Sequence, residues 1–287
     1  VYPNNKTNNK DKTILNFVKS NELYCDPLSL DFYIENVLKS VSVCCKKFLT
    51  TKVDRSVSGL IAQQQCIGPY QLPLSNYSLT AFGIDSLKGI ACSIGEQPIK
   101  GLIDNTSNIE MTIGEMLTNL VFVKIDKFTN IKCLGNWMWS TKLKYQDALL
   151  YDAVNIVEKT LKTLKIGIDG GKDSLSMNTK INDKVVMSPN TLVMSSYVLC
   201  PDIRIKATPD FKKAGSIILL VDLAYYNYHL GGSQFAQNLG QVGSQAPKFR
   251  NMKRFPYIFN FIQRLLNEGK ILSGHDRSDG GLIATLT

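Results

Sequence analysis

The stretch YQDALLYDAVNIVEKTLKTL, residues 145–164, repeats its apolar side chains with a helical period. Ala148, Leu149, Ala153, Ile156, Val157 and Leu161 fall near one face. Soon after it comes TLVMSSYVLC, residues 191–200, which reads as a strand. A chain carrying both patterns must bury helix faces against a sheet, which argues for an α/β (α+β) fold. IEMTIGEMLTNLVFVKI, residues 109–125, is helical in its first half, with Glu115 and Asn119 four apart on one face.

A second unit is expected after PDIRIKATPDFKKAG. SIILLVDL, residues 216–223, has the short apolar run of a buried strand. FPYIFNFIQRLLNEGK reads as a helix ending near Gly269, ILSGHD as a further strand, and GGLIATL as the start of a last helix. Residues 1–30 are polar and rich in Asn and Lys at their start, and read as a linker or insert. The opening VYPNNKTNNKDKT has no starting Met and lacks the basic-then-apolar order of a signal peptide. The chain is therefore expected to be a fragment whose cut second unit exposes apolar faces and limits solubility.

Composition narrows the chemistry. No apolar run approaches a bilayer-spanning length. Seven cysteines without a CxxC pair, and only two histidines, make a disulfide framework or a zinc centre a poor reading. Reduced, cytoplasmic thiols are the expectation, and the sequons at Asn5, Asn76 and Asn105 carry little weight. The net charge of +9 raises a nucleic-acid reading, supported locally by KFRNMKR, residues 248–254. That stretch reads more simply as a solvated basic loop, and an anionic small-molecule ligand accounts for some of the same bias. Neither nucleic acid nor membrane is an expected partner.

Several stretches suit anions or hard cations. GGKDS, residues 170–174, is not a Walker loop: position 166 is Ile rather than Gly, and Asp173 stands where Ser or Thr is needed. It remains a Gly-rich turn after an apolar segment, readable as a ligand loop or as an ordinary turn. GHDRSDGGL, residues 274–282, places Asp276 and Ser278 before a helix, where backbone N–H groups favour phosphate and Asp276 could hold Mg²⁺. An ordinary helix cap explains the same residues. Glu115 and Asn119 present two oxygens together, and HLGGSQFAQ offers another Gly-Gly-Ser turn with the same capping alternative. The tryptophans of LGNWMWS read as core. Together these stretches favour nucleotide or phosphate binding.

Read in order, the segments resemble one family. TTKVDRSVSGLIAQQQCIGPYQLPL, IGEQPIKGLID, GEMLTNLV, GNWMWSTKL, GIDGGKDSLSM, LGGSQFAQ and GHDRSDGGL are similar to the large-type phosphoribosylformylglycinamidine synthase of purine biosynthesis, from about residue 40 to the last. The resemblance implies an internal fragment from the second synthetase-like half. Residues 31–207 would form an aminoimidazole-ribonucleotide-synthetase-like A-type subdomain, and residues 208–287 the start of a truncated B-type subdomain.

It further implies ATP or ADP and Mg²⁺ as cofactors. Formylglycinamide ribonucleotide and glutamine would be substrates of the full-length enzyme, with the first synthetase-like half and a glutaminase domain as partners. GGKDS would be a ligand-facing turn. Carried over by position, Glu115, Asn119 and Asp276 match Mg²⁺ ligands, while Ser75 and Ser278 match nucleotide contacts. Where the family usually has PLAD this chain has PLSN, so Asn76 replaces a metal-binding aspartate and one Mg²⁺ should bind more weakly or be lost. DLAYYNYHLGGS also replaces a more basic approach to the Gly-Gly-Ser turn. No catalytic residue is assigned, because the segment's role is expected to be structural and auxiliary. The alternative is a non-catalytic remnant or nucleotide-binding scaffold.

Overall fold

The computed structural model describes residues 22–50, 59–71, 74–224 and 228–287. Most of the Asn-rich start, parts of the first family-like string (residues 51–58 and 72–73), and residues 225–227 ahead of the Gly-Gly-Ser turn lie outside them.

In chain order the elements are α1 (Leu30–Lys39), α2 (Lys47–Thr50), β1 (Ile61–Gln63), β2 (Ser78–Ala81), β3 (Gly89–Glu96), α3 (Pro98–Gly101), α4 (Asn105–Leu120), β4 (Lys132–Met138), α5 (Gln146–Leu164), β5 (Gly167–Ser174), β6 (Asn178–Ile181), β7 (Lys184–Met187), β8 (Thr191–Cys200), α6 (Gln234–Asn238), α7 (Phe255–Asn267) and α8 (Gly281–Leu286). Six strands form one sheet in the order β1-β2-β3-β8-β4-β5. Every pairing is antiparallel except β4 with β5, which α5 joins as a crossover. β6 and β7 make a separate hairpin whose turn residues, Asn182 and Asp183, have φ of 46° and 63°. Those values match a type I′ turn, which suits the twist of the flanking strands.

The core lies on one face of the sheet. β8 alternates, sending Leu192, Met194, Val198 and Cys200 inward. They meet Ile109, Ile113, Met116, Leu117 and Leu120 of α4 and Ala153, Val157, Leu161 and Leu164 of α5. The helix expected at 145–164 and the strand expected at 191–200 are therefore both present. Trp139 is fully buried, as the core reading required. On the opposite face Ile94, Leu134 and Leu199 stay exposed. α7 closes the far end through an aromatic cluster, with Phe128 to Phe259 and Phe249 to Phe255 both at 5.0 Å between centroids.

Three local readings are corrected. GGKDS is not a turn but the body of β5, parallel to β4. Gly135 and Gly171 face each other, and a Cβ on Gly171 would lie 2.5 Å from the Gly135 carbonyl oxygen. The glycines permit close backbone approach beside the bulge between Cys133 and Leu134 rather than a reversal of direction. SIILLVDL forms no strand. No described strand lies beside it to satisfy its backbone, and Ile217 is 87% exposed. ILSGHD also fails as a strand: its one bridge is Ser273 to Thr208, after which Gly274 packs against the Phe122 ring and the chain runs on as a loop.

None of the seven cysteines is in a disulfide, and burial pushes Cys133 up to about 12 and Cys200 up to about 11. No helix among the described residues is long and apolar enough to cross a membrane.

Candidate functional site

Three chain segments converge at the open end of α4. The first, residues 74–77, leads into β2 and is pinned by the buried Tyr77, whose hydroxyl donates to the Ala207 carbonyl oxygen at 2.9 Å. The second is the last two turns of α4 itself. That helix starts at an Asp104 cap, which accepts from the Thr106 and Ser107 N–H groups. The third is the loop before α8. Gly274 holds it in place: its N–H donates to the Thr208 carbonyl oxygen, and its missing side chain leaves room for the Phe122 ring, which a Cβ would meet at 2.1 Å.

Asn76, Asn119, Asp276 and Ser278 meet there. Asn76 Nδ2 donates to Asp276 Oδ1 at 2.8 Å and approaches Asn119 Oδ1 at 3.4 Å. Ser278 Oγ donates to the same Asp276 oxygen at 2.7 Å, and His275 Nδ1 lies 3.2 Å from it. Asn119 Nδ2 donates to the Ile94 carbonyl oxygen at 2.9 Å. Glu115, one turn earlier, accepts at Oε2 from the Glu96 N–H at 2.7 Å and from Gln97 Nε2 at 2.9 Å. Ser75 is adjacent in sequence, but its hydroxyl is committed to the Tyr77 carbonyl oxygen.

The electrostatics are those of a crowded anionic centre. Burial pushes the Glu115 carboxyl up to about 7; its hydrogen bonds from Gln97 and Glu96 pull against this, while the charges of Asp276 and Glu96 add to it. Burial also raises Glu96, with Asp279 reinforcing the shift. Lys100 is lowered by burial, against the opposing pull of Asp279, Glu115 and Glu96. Burial works to lower His275, but its bonds to Asp276 outweigh that and hold it above its usual value.

Lys100, Glu96, Asp279 and His275 had no sequence-derived role. The available signal was their position inside IGEQPIKGLID and GHDRSDGGL. The Gly-Gly-Ser turn also comes in here: Gly232 packs on the Lys100 stem, while Ser233 caps α6 by accepting from the Ala236 N–H at 3.2 Å. GGKDS does not join them. β5 is the opposite edge strand, four strand spacings or about 19 Å from β2, and Lys172 Nζ donates to its neighbour Ser174 Oγ.

Among the described residues no group of three or more His, Cys, Asp or Glu side chains is arranged to hold a metal unaided. The donor chemistry nevertheless fits Mg²⁺, which takes one or two carboxylates and completes its shell with phosphate oxygens and water. Glu115 and Asp276 could supply the carboxylates and Asn119 an amide oxygen. Asn76 is the exception, since it turns an N–H toward Asp276 rather than an oxygen.

Comparison with known proteins adds ancestry to this geometry. The family model described as the FGAR-AT PurM_N-like domain matches residues 45–199. The chain is 49% identical over 259 residues to a phosphoribosylformylglycinamidine synthase of Drosophila melanogaster, covering 89% of this chain and 19% of that protein. It is 41% identical over 261 residues to the Homo sapiens synthase, covering 90% of this chain and 20% of that protein. The chain thus spans about a fifth of the length of the curated relatives it matches. Among solved structures, T. maritima PurL complexed with FGAR is similar over 91% of this chain and 38% of that one, with a TM-score of 0.57 at 9% identity. That likeness is one of fold.

Proposed function

The chain belongs to the FGAR-AT PurM_N-like domain family, and from that premise we propose that it is part of an ATP- and glutamine-dependent phosphoribosylformylglycinamidine synthase of de novo purine biosynthesis. Its place is the second synthetase-like half. Residues 31–207 form the A-type subdomain, residues 208–287 open the B-type subdomain, and residues 1–30 are a linker or Asn-rich insert. In the full-length enzyme the substrates are formylglycinamide ribonucleotide and glutamine. The first synthetase-like half and a glutaminase domain are the partners, and the cytoplasm is the compartment. The exposed Ile94, Leu134 and Leu199 on the uncovered sheet face support docking against the other half.

Within that enzyme this segment supplies scaffold and an auxiliary Mg-nucleotide site. The observation that carries this reading is the meeting of Asn76, Asn119, Asp276 and Ser278, the first and third of which are 200 residues apart in sequence. Glu115, Asn119 and the Asp276 oxygen that Asn76 does not bond would hold Mg²⁺, with Asn76 beside it in place of a further ion, while Ser75 and Ser278 would contact the nucleotide. Bound Mg²⁺ would neutralise phosphate charge. The protein's own part is to aim these oxygens and hold them partly shielded from water.

Native mass spectrometry of the protein at its natural length, with and without EDTA, tests the reading. Retained ADP or ATP that is lost with Mg²⁺ on chelation is the expected result. A protein of that length that neither carries nor takes up nucleotide would overturn the auxiliary site and leave the alternative, a non-catalytic remnant. The Asp276 Oδ1, already bonded by Asn76 and Ser278, favours that alternative.

A further inference from the structure

We propose that the Asn76 side chain is a built-in substitute for a divalent cation between Asn119 and Asp276. The inference rests on the reading of Asn119 and Asp276 as cation ligands, and it concerns what this chain does with them. The Asn76 amide nitrogen faces both Asp276 Oδ1, at 2.8 Å, and Asn119 Oδ1, at 3.4 Å. A shared hard cation would bridge these same two oxygens. An amide NH₂ has two hydrogens and can serve two acceptors.

The surrounding bonds fix this orientation. Asn119 donates its own nitrogen to the Ile94 carbonyl oxygen, so its oxygen is the atom left to face Asn76. Asp276 is 8% exposed, and its Oδ1 also accepts from Ser278 Oγ, with His275 Nδ1 3.2 Å away. That carboxylate oxygen is satisfied by protein donors, so its burial leaves no charge without a partner. Turning the Asn76 amide over would set oxygen against oxygen with nothing between them. A cation could enter only by displacing the amide and breaking these bonds.

An aspartate at position 76 would reverse the situation. Two carboxylates would then face each other at the present separation, and the pair would need a shared proton or a cation to persist. Glu115 stands outside the bridge, held by the Glu96 N–H and Gln97, and its capacity for a cation is unaffected. This protein should therefore hold one fewer divalent ion than a variant with aspartate at position 76, and its fold around Asp276 should not depend on metal.

The test uses Mn²⁺ as the probe, with bound ions counted by electron paramagnetic resonance and Tm measured in EDTA and in Mn²⁺. Three proteins are compared: the natural sequence, Asn76→Asp and Asn76→Leu. The natural protein should keep its Tm in EDTA. Asn76→Asp should lose Tm in EDTA, recover it in Mn²⁺, and bind one additional ion or bind Mn²⁺ roughly tenfold more tightly. Asn76→Leu, with no donor for Asp276, should lose Tm in both conditions. Equal Mn²⁺ counts and affinities for the natural protein and Asn76→Asp would overturn the proposal, as would an Asn76→Asp protein that Mn²⁺ fails to rescue. ADP retention in the same samples reports on the nucleotide reading separately. Its absence, with the Mn²⁺ difference intact, would remove the auxiliary nucleotide role and leave the amide bridge standing.

Discussion

Gln263 donates its Nε2 to the Val123 carbonyl oxygen at 2.8 Å, and the same side chain also reaches the Val121 carbonyl oxygen at 2.8 Å and the Ile125 N–H at 3.0 Å. One buried amide on α7 thus satisfies three backbone groups of the segment that leaves α4. Helix α7 is joined to the segment after α4 by polar bonds as well as by the Phe128–Phe259 contact. That connection also steadies the end of α4, where Asn119 sits.

Gln263→Leu should therefore cost far more than its change in size implies. Leaving two carbonyls and an N–H buried without partners should lower stability by about 2–4 kcal/mol. The shift in denaturation midpoint in urea checks this. A loss under about 0.5 kcal/mol, the scale of ordinary surface changes, would show that water replaces the amide without penalty.

Gly95→Ala should separate α4 from β3. A Cβ there would lie 2.3 Å from the Thr112 carbonyl oxygen and 2.5 Å from the Met116 nitrogen, and helix backbone cannot give way as a flexible side chain can. The expected cost is about 1–3 kcal/mol, with faster hydrogen exchange at the Glu96 amide that now donates to Glu115. Gly59 is the control, because a Cβ there meets nothing within 4 Å. Equal effects at the two positions would sink the packing argument.

The Asp104 cap should confer a pH dependence on α4. Burial pushes its carboxyl up, but the bonds from Lys248 and Ser107 more than offset this and hold it below the usual carboxylate range. A depressed carboxyl stabilises the fold above its unfolded pKa, and that contribution disappears as pH falls through the folded value. Asp104→Asn keeps a good cap and loses the ion pair. The natural protein should be more stable by about 0.5 kcal/mol near neutrality, a modest figure because the pair is partly solvated. The difference should vanish once the pH is taken well below about 3.9. Thermal unfolding of both proteins across that range is the measurement, and a pH-independent gap would contradict it.

Lys100 and Lys172 should behave differently toward nucleotide. Lys100 lies among Glu96, Glu115 and Asp279, whereas Lys172 sits on the opposite edge strand. In calorimetric titration with Mg²⁺ and ADP, Lys100→Ala should weaken binding roughly tenfold, about 1.4 kcal/mol, and Lys172→Ala should change it less than about twofold. Equal losses would return GGKDS to the ligand site.

Much of the frame could be read locally. α5, β8 and α7 follow from runs whose apolar spacing matches one period throughout, so local preference and burial agree. GGKDS misled because glycine has two uses. It allows a turn, and it also allows two backbones to approach, as Gly135 and Gly171 do. SIILLVDL misled because strand propensity does not supply a neighbour to pair with.

The candidate site divides in the same way. Residue types alone identified oxygen donors at Glu115, Asn119 and Asp276, because carboxylates and amides have the chemistry for a hard cation wherever they stand; Asn76 entered only through the family resemblance. Periodicity also placed Glu115 and Asn119 on one helix face. That Asn76 meets Asp276, that it meets it through nitrogen, and that Ser75 turns to the Tyr77 carbonyl oxygen were decided only by the tertiary structure. Helical and strand periods arise from contacts a few residues apart. A bond across 200 residues depends on sheet order, on Gly274 against Phe122, and on which acceptors remain when every nearby donor has been assigned.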